Sequence, residues 1–138
     1  MPGLVDLHHH ACALLSRGLE PRGGRPMRYM GLLENCWWKL DRAMNLEDVY
    51  CGASADFLDC VRNGVTTVFD QHASYGAVTG SLSEVSRAAD RLGLRACLGY
   101  EVSDREGESK CKAAIQENLS FMREISRRTD SLRRGMMG

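Results

Sequence analysis

Short β-favouring apolar runs alternate along this chain with longer stretches whose apolar residues recur every three or four positions. Residues 2–7 form the first run, ending at His8-His9-His10. Residues 65–69 are five β-favouring residues in a row and end at Asp70-Gln71-His72. A third run, residues 96–100, ends at Glu101-Val102-Ser103-Asp104. Between them, residues 29–43 place Leu32, Leu33, Cys36, Trp37 and Leu40 on one side of a predicted helix. Asn45, with Asp48 three residues on, gives a capping-box-like start to a helix from Leu46, and Gly64 sits where a C-terminal glycine cap belongs. Ser81 or Ser83 is expected to cap a helix that runs to Leu92 and is stopped by Gly93. Residues 109–128 form a long amphipathic stretch, and residues 18–26, rich in Gly, Pro and Arg, read as a loop.

Strand and helix in strict alternation predict parallel βαβ units. The runs lack in/out alternation, as expected of strands covered on both faces. Three such units fit either a doubly wound sheet or part of a (β/α)8 barrel. The doubly wound nucleotide-binding reading is disfavoured, because neither GxGxxG nor a P-loop follows any of the strands.

Composition narrows the function classes. With 43% hydrophobic and 26% charged residues the chain reads as one globular domain, long enough for a real core. A formal net charge of zero offers no general electrostatic pull toward nucleic acid or an anionic membrane. Arg127, Arg128, Arg133 and Arg134 do cluster, but Asp130 interrupts them, which favours a solvated helix end. No run approaches the roughly 18–20 apolar residues of a membrane span. The six cysteines show no CxxC pair and no regular spacing, and no secretory leader is apparent. Free thiols in a reducing cytoplasm are therefore expected.

The polar residues carry the functional signal. All four histidines, His8, His9, His10 and His72, fall at carboxyl ends of predicted strands, and Asp70 and Glu101 sit at corresponding ends. That end of a parallel sheet is where α/β proteins bind ligands. Side chains at i and i+2 of a strand point the same way, so His8 and His10 can converge on one ion while His9 faces away to pack or hydrogen-bond. Imidazole suits zinc, iron and nickel. For His72, substrate contact and structural hydrogen bonding both remain open, and Glu101 and Asp104 also read as carboxylates that cap or pair locally. Cys12, two residues past His10, has no thiolate-activating base beside it in sequence and reads as packing.

Pro2-Gly3-Leu4-Val5-Asp6-Leu7-His8-His9-His10 resembles the PG-[FL]-[IV]-[DN]-x-H-x-H signature of the amidohydrolase superfamily. The segments Trp37–Arg42, Asn45–Tyr50, Gly64–Asp70 and Tyr100–Arg105 are similar to its chlorohydrolase and aminohydrolase branch. The resemblance implies that residues 1–138 are a partial TIM (β/α)8 barrel, about three parallel βα units from strand one to about the start of strand four, with no second domain. It implies metal ligation by His8 and His10 of one divalent ion, with zinc placed before iron. It further implies hydrolysis of a C–N bond in a heterocyclic amine, such as a purine or triazine, by metal-activated water. His72, Asp70, Glu101 and Trp38 are the candidate substrate-binding residues, although helix packing or a subunit contact is the competing reading of Trp37 and Trp38. The family's later histidines and aspartate, and its acid–base residues, are expected beyond Gly138, so the chain reads as a fragment and no catalytic residue is assigned within it. Three barrel strands would leave sheet edges unpaired, which predicts a homo-oligomer. The competing reading is a non-catalytic remnant acting only by self-association or fragment complementation. Nucleic acid and membrane are not expected partners.

Overall fold

The computed structural model of the chain describes residues 1–19, 28–129 and 132–138. Most of the expected loop at 18–26, and Asp130, lie outside these residues.

Four strands form one parallel sheet in chain order: β1 (Leu4–His9), β2 (Val65–His72), β3 (Arg95–Tyr100) and β4 (Arg133–Gly135). A 3-10 segment (Ala11–Ser16) follows β1, then the short helices α1 (Tyr29–Leu32) and α2 (Trp38–Ala43) joined by a π-type turn (Leu33–Trp37). Three longer helices complete the crossovers: α3 (Leu46–Arg62), α4 (Ser81–Leu92) and α5 (Glu108–Ser126). This is the run of βα units that the alternation predicts, with a fourth strand begun.

The β2–β3 ladder runs without a break from Thr67↔Arg95 to His72↔Tyr100. The β1–β2 ladder shifts register between Leu4 and Val5 and again between Asp6 and His9. β1 also begins and ends two residues later than the apolar run suggests, so His8 and His9 belong to the strand itself.

One face of the sheet carries the helices. Val68, Asp70 and His72 of β2 and Ala96, Leu98 and Tyr100 of β3 are buried. Their apolar members pack with Val49, Ala53 and Phe57 of α3, Leu82, Val85 and Ala89 of α4, and Ala114, Phe121 and Ile125 of α5. Fully burying a valine, leucine, isoleucine or phenylalanine side chain of this set contributes roughly 1.5–3 kcal/mol. The intervening residues of the other face, Thr67, Phe69 and Cys97, are only half-buried, and Gln71 is exposed. Burial therefore alternates in β2, where the sequence suggests cover on both faces.

Local chemistry sets most of the helix ends. The Asn45 side chain accepts from the Asp48 N–H at 3.0 Å while Asp48 accepts from the Asn45 N–H at 2.9 Å, a complete capping box. Helix α3 ends at Asn63, with Gly64 beyond it in the left-handed region at φ +79°. The start of α4 differs from expectation. Its N-cap is Gly80; the Ser81 hydroxyl turns back to the Val78 carbonyl and Ser83 reaches Glu124. The capping carboxylate comes instead from α5, where buried Glu117 accepts from the Gly80 N–H at 2.8 Å and the Leu82 N–H at 3.0 Å. A carboxylate there also complements the positive end of the helix dipole.

Next to Glu117, buried Asn118 closes the end of β3. Its side chain accepts from the Tyr100 N–H at 2.8 Å and donates to the Tyr100 carbonyl at 2.9 Å. The loop after β2 is jammed against the end of α2: the Gly76 N–H donates to the Asp41 carbonyl at 2.9 Å, and a β-carbon at Gly76 would lie 2.4 Å from the Met44 carbonyl oxygen. Glycine is the one residue that fits there. Among the described residues no helix is long and apolar enough to cross a membrane.

Candidate metal centre and cleft

His8 and His10 are brought together at the carboxyl end of β1. Their Nε2 atoms are 3.1 Å apart, and the rings meet edge to face with centroids 4.8 Å apart. The His10 Nδ1–H donates to the Gln71 main-chain carbonyl at 2.8 Å, which leaves its Nε2 lone pair pointing at His8. Two imidazole nitrogens at that separation fit a single first-row ion with bonds of about 2.0–2.1 Å. A main-chain carbonyl behind one ligand is the kind of outer partner that metal-bound histidines carry. This pair of donors therefore fits a divalent ion.

The neighbouring polar groups lock this strand end to the body of the protein. His9 faces the helices: its Nδ1 lies 3.0 Å from Asp6, its Nε2 is in close contact with Asp56 of α3, and the ring stacks on Phe57. Burial opposes a charge on His9, but Asp56, Asp70 and Asp6 outweigh it and raise its pKa to about 9. Asp70 is fully buried and accepts from the Ala11 N–H at 2.7 Å, which turns the chain sharply after His10. Burial lifts the Asp70 pKa to about 6, against the pull of that hydrogen bond.

A cleft of about 270 Å³ opens beside His10. Cys12 and Ala13 line it after His10, Gln71, Ala73 and Glu101 come from the sheet ends, and Tyr29, Leu33, Trp37, Trp38, Leu40 and Asp41 from the helical segment. Two of the predicted substrate-binding residues, Trp38 and Glu101, thus share a wall with His10. The other two are placed elsewhere: Asp70 and His72 are buried and do not line the cleft. The His72 Nε2 pairs with the Ser74 hydroxyl at 2.8 Å, its ring meets Tyr100 edge to face, and burial drives its pKa down to about 3. Burial likewise raises the Cys12 thiol to about 12, so it stands in the wall as a neutral thiol.

Arg105 organises the cleft's acidic side, a role not assigned from the sequence. Its guanidinium holds Glu101 at 2.9 and 3.0 Å and Asp41 at 2.5 Å, and it lies over the rings of Tyr75 and Trp38 at 4.3 and 5.0 Å from their centroids. Burial raises the Asp41 pKa to about 6, although the Arg105 hydrogen bond opposes the rise. The four-residue spacing of Glu101 and Arg105 was the available local signal. Asp41, 64 residues from Arg105, gave none.

This parallel βα sheet, with paired imidazoles at the carboxyl end of its first strand, has the architecture of a metal-dependent hydrolase barrel. The chain belongs to the Amidohydrolase family, which residues 1–135 match. It is 29% identical over 92% of its length to a 5-methylthioadenosine/S-adenosylhomocysteine deaminase of Pyrococcus furiosus, covering 28% of that protein. It is 30% identical over its whole length to the protein of the same description from Pelotomaculum thermopropionicum, covering 29% of it. Among solved structures it resembles a zinc-bound adenosine deaminase from Xanthomonas campestris, with TM-score 0.74 and 20% identity over 99% of this chain and 29% of that one. A triazine hydrolase variant gives TM-score 0.72 and 21% identity over 100% of this chain and 34% of that one. The chain thus spans less than a third of the length of the curated relatives it matches. Its fold is a partial (β/α)8 barrel comprising the first strands and their helices.

Proposed function

We propose that this chain forms the metal-bearing end of a hydrolase that cleaves C–N bonds in amino-substituted heterocycles such as purines or triazines. His8 and His10 hold one divalent ion, zinc before iron. The observation that carries the reading is the convergence of their Nε2 atoms beside a cleft walled by Trp38 and Glu101. The deaminase and triazine hydrolase relatives support the substrate class.

A divalent ion at this position supplies Lewis acidity, bringing water's pKa from 15.7 toward about 7. The chain's own groups bind and orient. The Gln71 carbonyl fixes the His10 tautomer. The Trp38 ring offers a flat apolar surface for a heterocycle, and the Arg105 hydrogen bonds aim the Glu101 carboxyl group, which accepts from a ring amino group. Asp70 and His72 act from beneath, through the turn after His10 and through the Ser74–Tyr100 contacts. The described cysteines are all free, which suits a reducing cytoplasm.

Metal content measured after purification in zinc- or iron-supplemented medium tests the ligand assignment. The His8→Ala/His10→Ala variant should lose one equivalent relative to wild type, and unchanged content would sink it. Two imidazoles are an incomplete ligand set, so the 138-residue chain is expected to bind the ion without measurable ammonia release from a purine and triazine panel. Metal-dependent release that disappears in His10→Ala would overturn that expectation.

One observation favours a second reading, self-association. Leu4, Val5 and Leu7 of the edge strand β1 are 58%, 55% and 72% exposed, an apolar edge able to pair with another copy. Light scattering decides it: a stable monomer in dilute solution contradicts that reading.

A further inference from the structure

We propose that His9, Asp56 and Cys60 form a second cation site, separate from the His8–His10 pair, which takes zinc or a similarly thiophilic first-row ion and clamps β1 to α3. One donor atom from each residue lies within 4.8 Å of the other two. Asp56 and Cys60 stand four residues apart on α3 and so share a face, and His9 comes to them from β1. Within the trio, His9 Nε2 and Asp56 Oδ2 are in contact, and Cys60 Sγ is 4.0 Å from each.

An imidazole, a carboxylate and a thiol are the three donor types that zinc sites use. A histidine–aspartate ion pair explains His9 and Asp56 but gives no reason for a sulfur equidistant from both. Asp6 adds an independent feature: its Oδ2 lies 3.0 Å from His9 Nδ1, the ring nitrogen facing away from the trio. A carboxylate on that nitrogen is the arrangement that orients a zinc-bound imidazole and raises its basicity. The His9 and Asp56 side chains are 12% and 14% exposed, so the site is shielded yet reachable.

Bonds of about 2.0–2.3 Å to one ion call for donor separations of roughly 3.3–3.5 Å. The nitrogen–oxygen contact must open by under about 1 Å and the sulfur close by about 0.5 Å, movements within reach of side-chain rotation. Charge balances simply: the proton shared by His9 and Asp56 and the Cys60 thiol proton pass to solvent as the ion enters. The site stitches the strand carrying His8 and His10 to the helix behind it, and it does not depend on what those two histidines bind.

Cobalt(II) titrated into the 138-residue chain tests this, because a thiolate-to-cobalt charge-transfer band reports sulfur ligation directly. The band should appear in wild type, vanish in Cys60→Ser, and persist in His8→Ala/His10→Ala and in Cys12→Ala. No band in wild type, or one that survives Cys60→Ser, overturns the site. Loss in Cys12→Ala with retention in Cys60→Ser would place the sulfur beside His10 and overturn it equally. Alkylation mapped by mass gives a second reading without any substitution. Zinc well above its Kd should slow modification of Cys60 at least about tenfold and leave Cys51, exposed on the same helix, unchanged. Equal rates at Cys60 with and without zinc would refute the clamp.

Discussion

The β2–β3 half of the molecule and the β1 half are held together by different physics. Behind β2 and β3 the register is unbroken and the helices bury a continuous apolar core in which Val68, Leu82, Val85 and Leu98 are fully enclosed. β1 has an irregular register and leaves Leu4, Val5 and Leu7 in the open. The segment after β1 shares in the core through Ala11, Leu15 and Leu40, and polar contacts add to it: Asp70 on the Ala11 N–H, His9 against Asp6 and Asp56, and Arg105 tying the helical segment to Glu101 beyond β3. The scaffold half is ordered by burial, whereas the site half adds directional contacts to a smaller share of the core. Directional contacts place atoms more narrowly than burial does, which is what a pair of imidazoles proposed to share one ion would demand.

The sharpest way to break that contrast is to truncate one leucine in each half. Leu98→Ala should cost roughly 2–5 kcal/mol in urea unfolding, whereas Leu7→Ala should stay within about 0.5 kcal/mol. Similar losses would show that β1 is packed after all. Arg105→Ala comes next: it strands a buried carboxylate, and about 2–3 kcal/mol of stability should go, a discount on the 3–5 of a fully buried pair because Asp41 can take up a proton. The same variant should move the Asp41 pKa above about 6, readable by carbon-13 NMR of the carboxyl group. Asp70→Ala leaves the Ala11 N–H without an acceptor and should cost about 1–3 kcal/mol. It should also weaken metal binding about 10–100-fold by loosening the turn that carries His10, checked by titration with a competing chelator.

The last test is a pH slope, small near neutrality and growing as the solution is acidified. His72 is buried uncharged, with a folded pKa of about 3 against 6.5 unfolded. Below 6.5 the unfolded chain therefore binds the extra proton. The stability that His72 contributes is whole above 6.5 and is lost as pH falls toward 3. In His72→Gln the unfolding free energy should fall less steeply across that window; identical slopes would mean that the ring is hydrated.

Much of the architecture was legible because its causes are local. Asn45 and Asp48 are three residues apart, so their capping box could be read directly, and alternation on an extended segment sufficed to pair His8 with His10 and turn His9 away. What escaped has its cause at a distance. The serines near residue 81 were natural candidates for the α4 cap, but Glu117, 35 residues or more from the groups it binds, displaces them. The same distance hid the Asp56 and Cys60 surroundings of His9 and the Asp41 partner of Arg105. His72 and Asp70 stood at a strand end, as ligand-binding residues do. Their depth follows from the inward face of β2, and a two-residue period does not say which face a later helix will cover.

Asn118 has a consequence for the shape of the rim. By occupying both main-chain groups of Tyr100 on the side toward β4, its amide acts as a peg that no neighbouring strand can share. The β3–β4 ladder ends at Leu98↔Gly135, although the chain after β4 stays close: a β-carbon on Gly138 would lie 2.4 Å from the Tyr100 carbonyl oxygen. One side-chain amide thus stands in for a strand partner at the last residue of β3, letting the chain pass alongside without adding a rung.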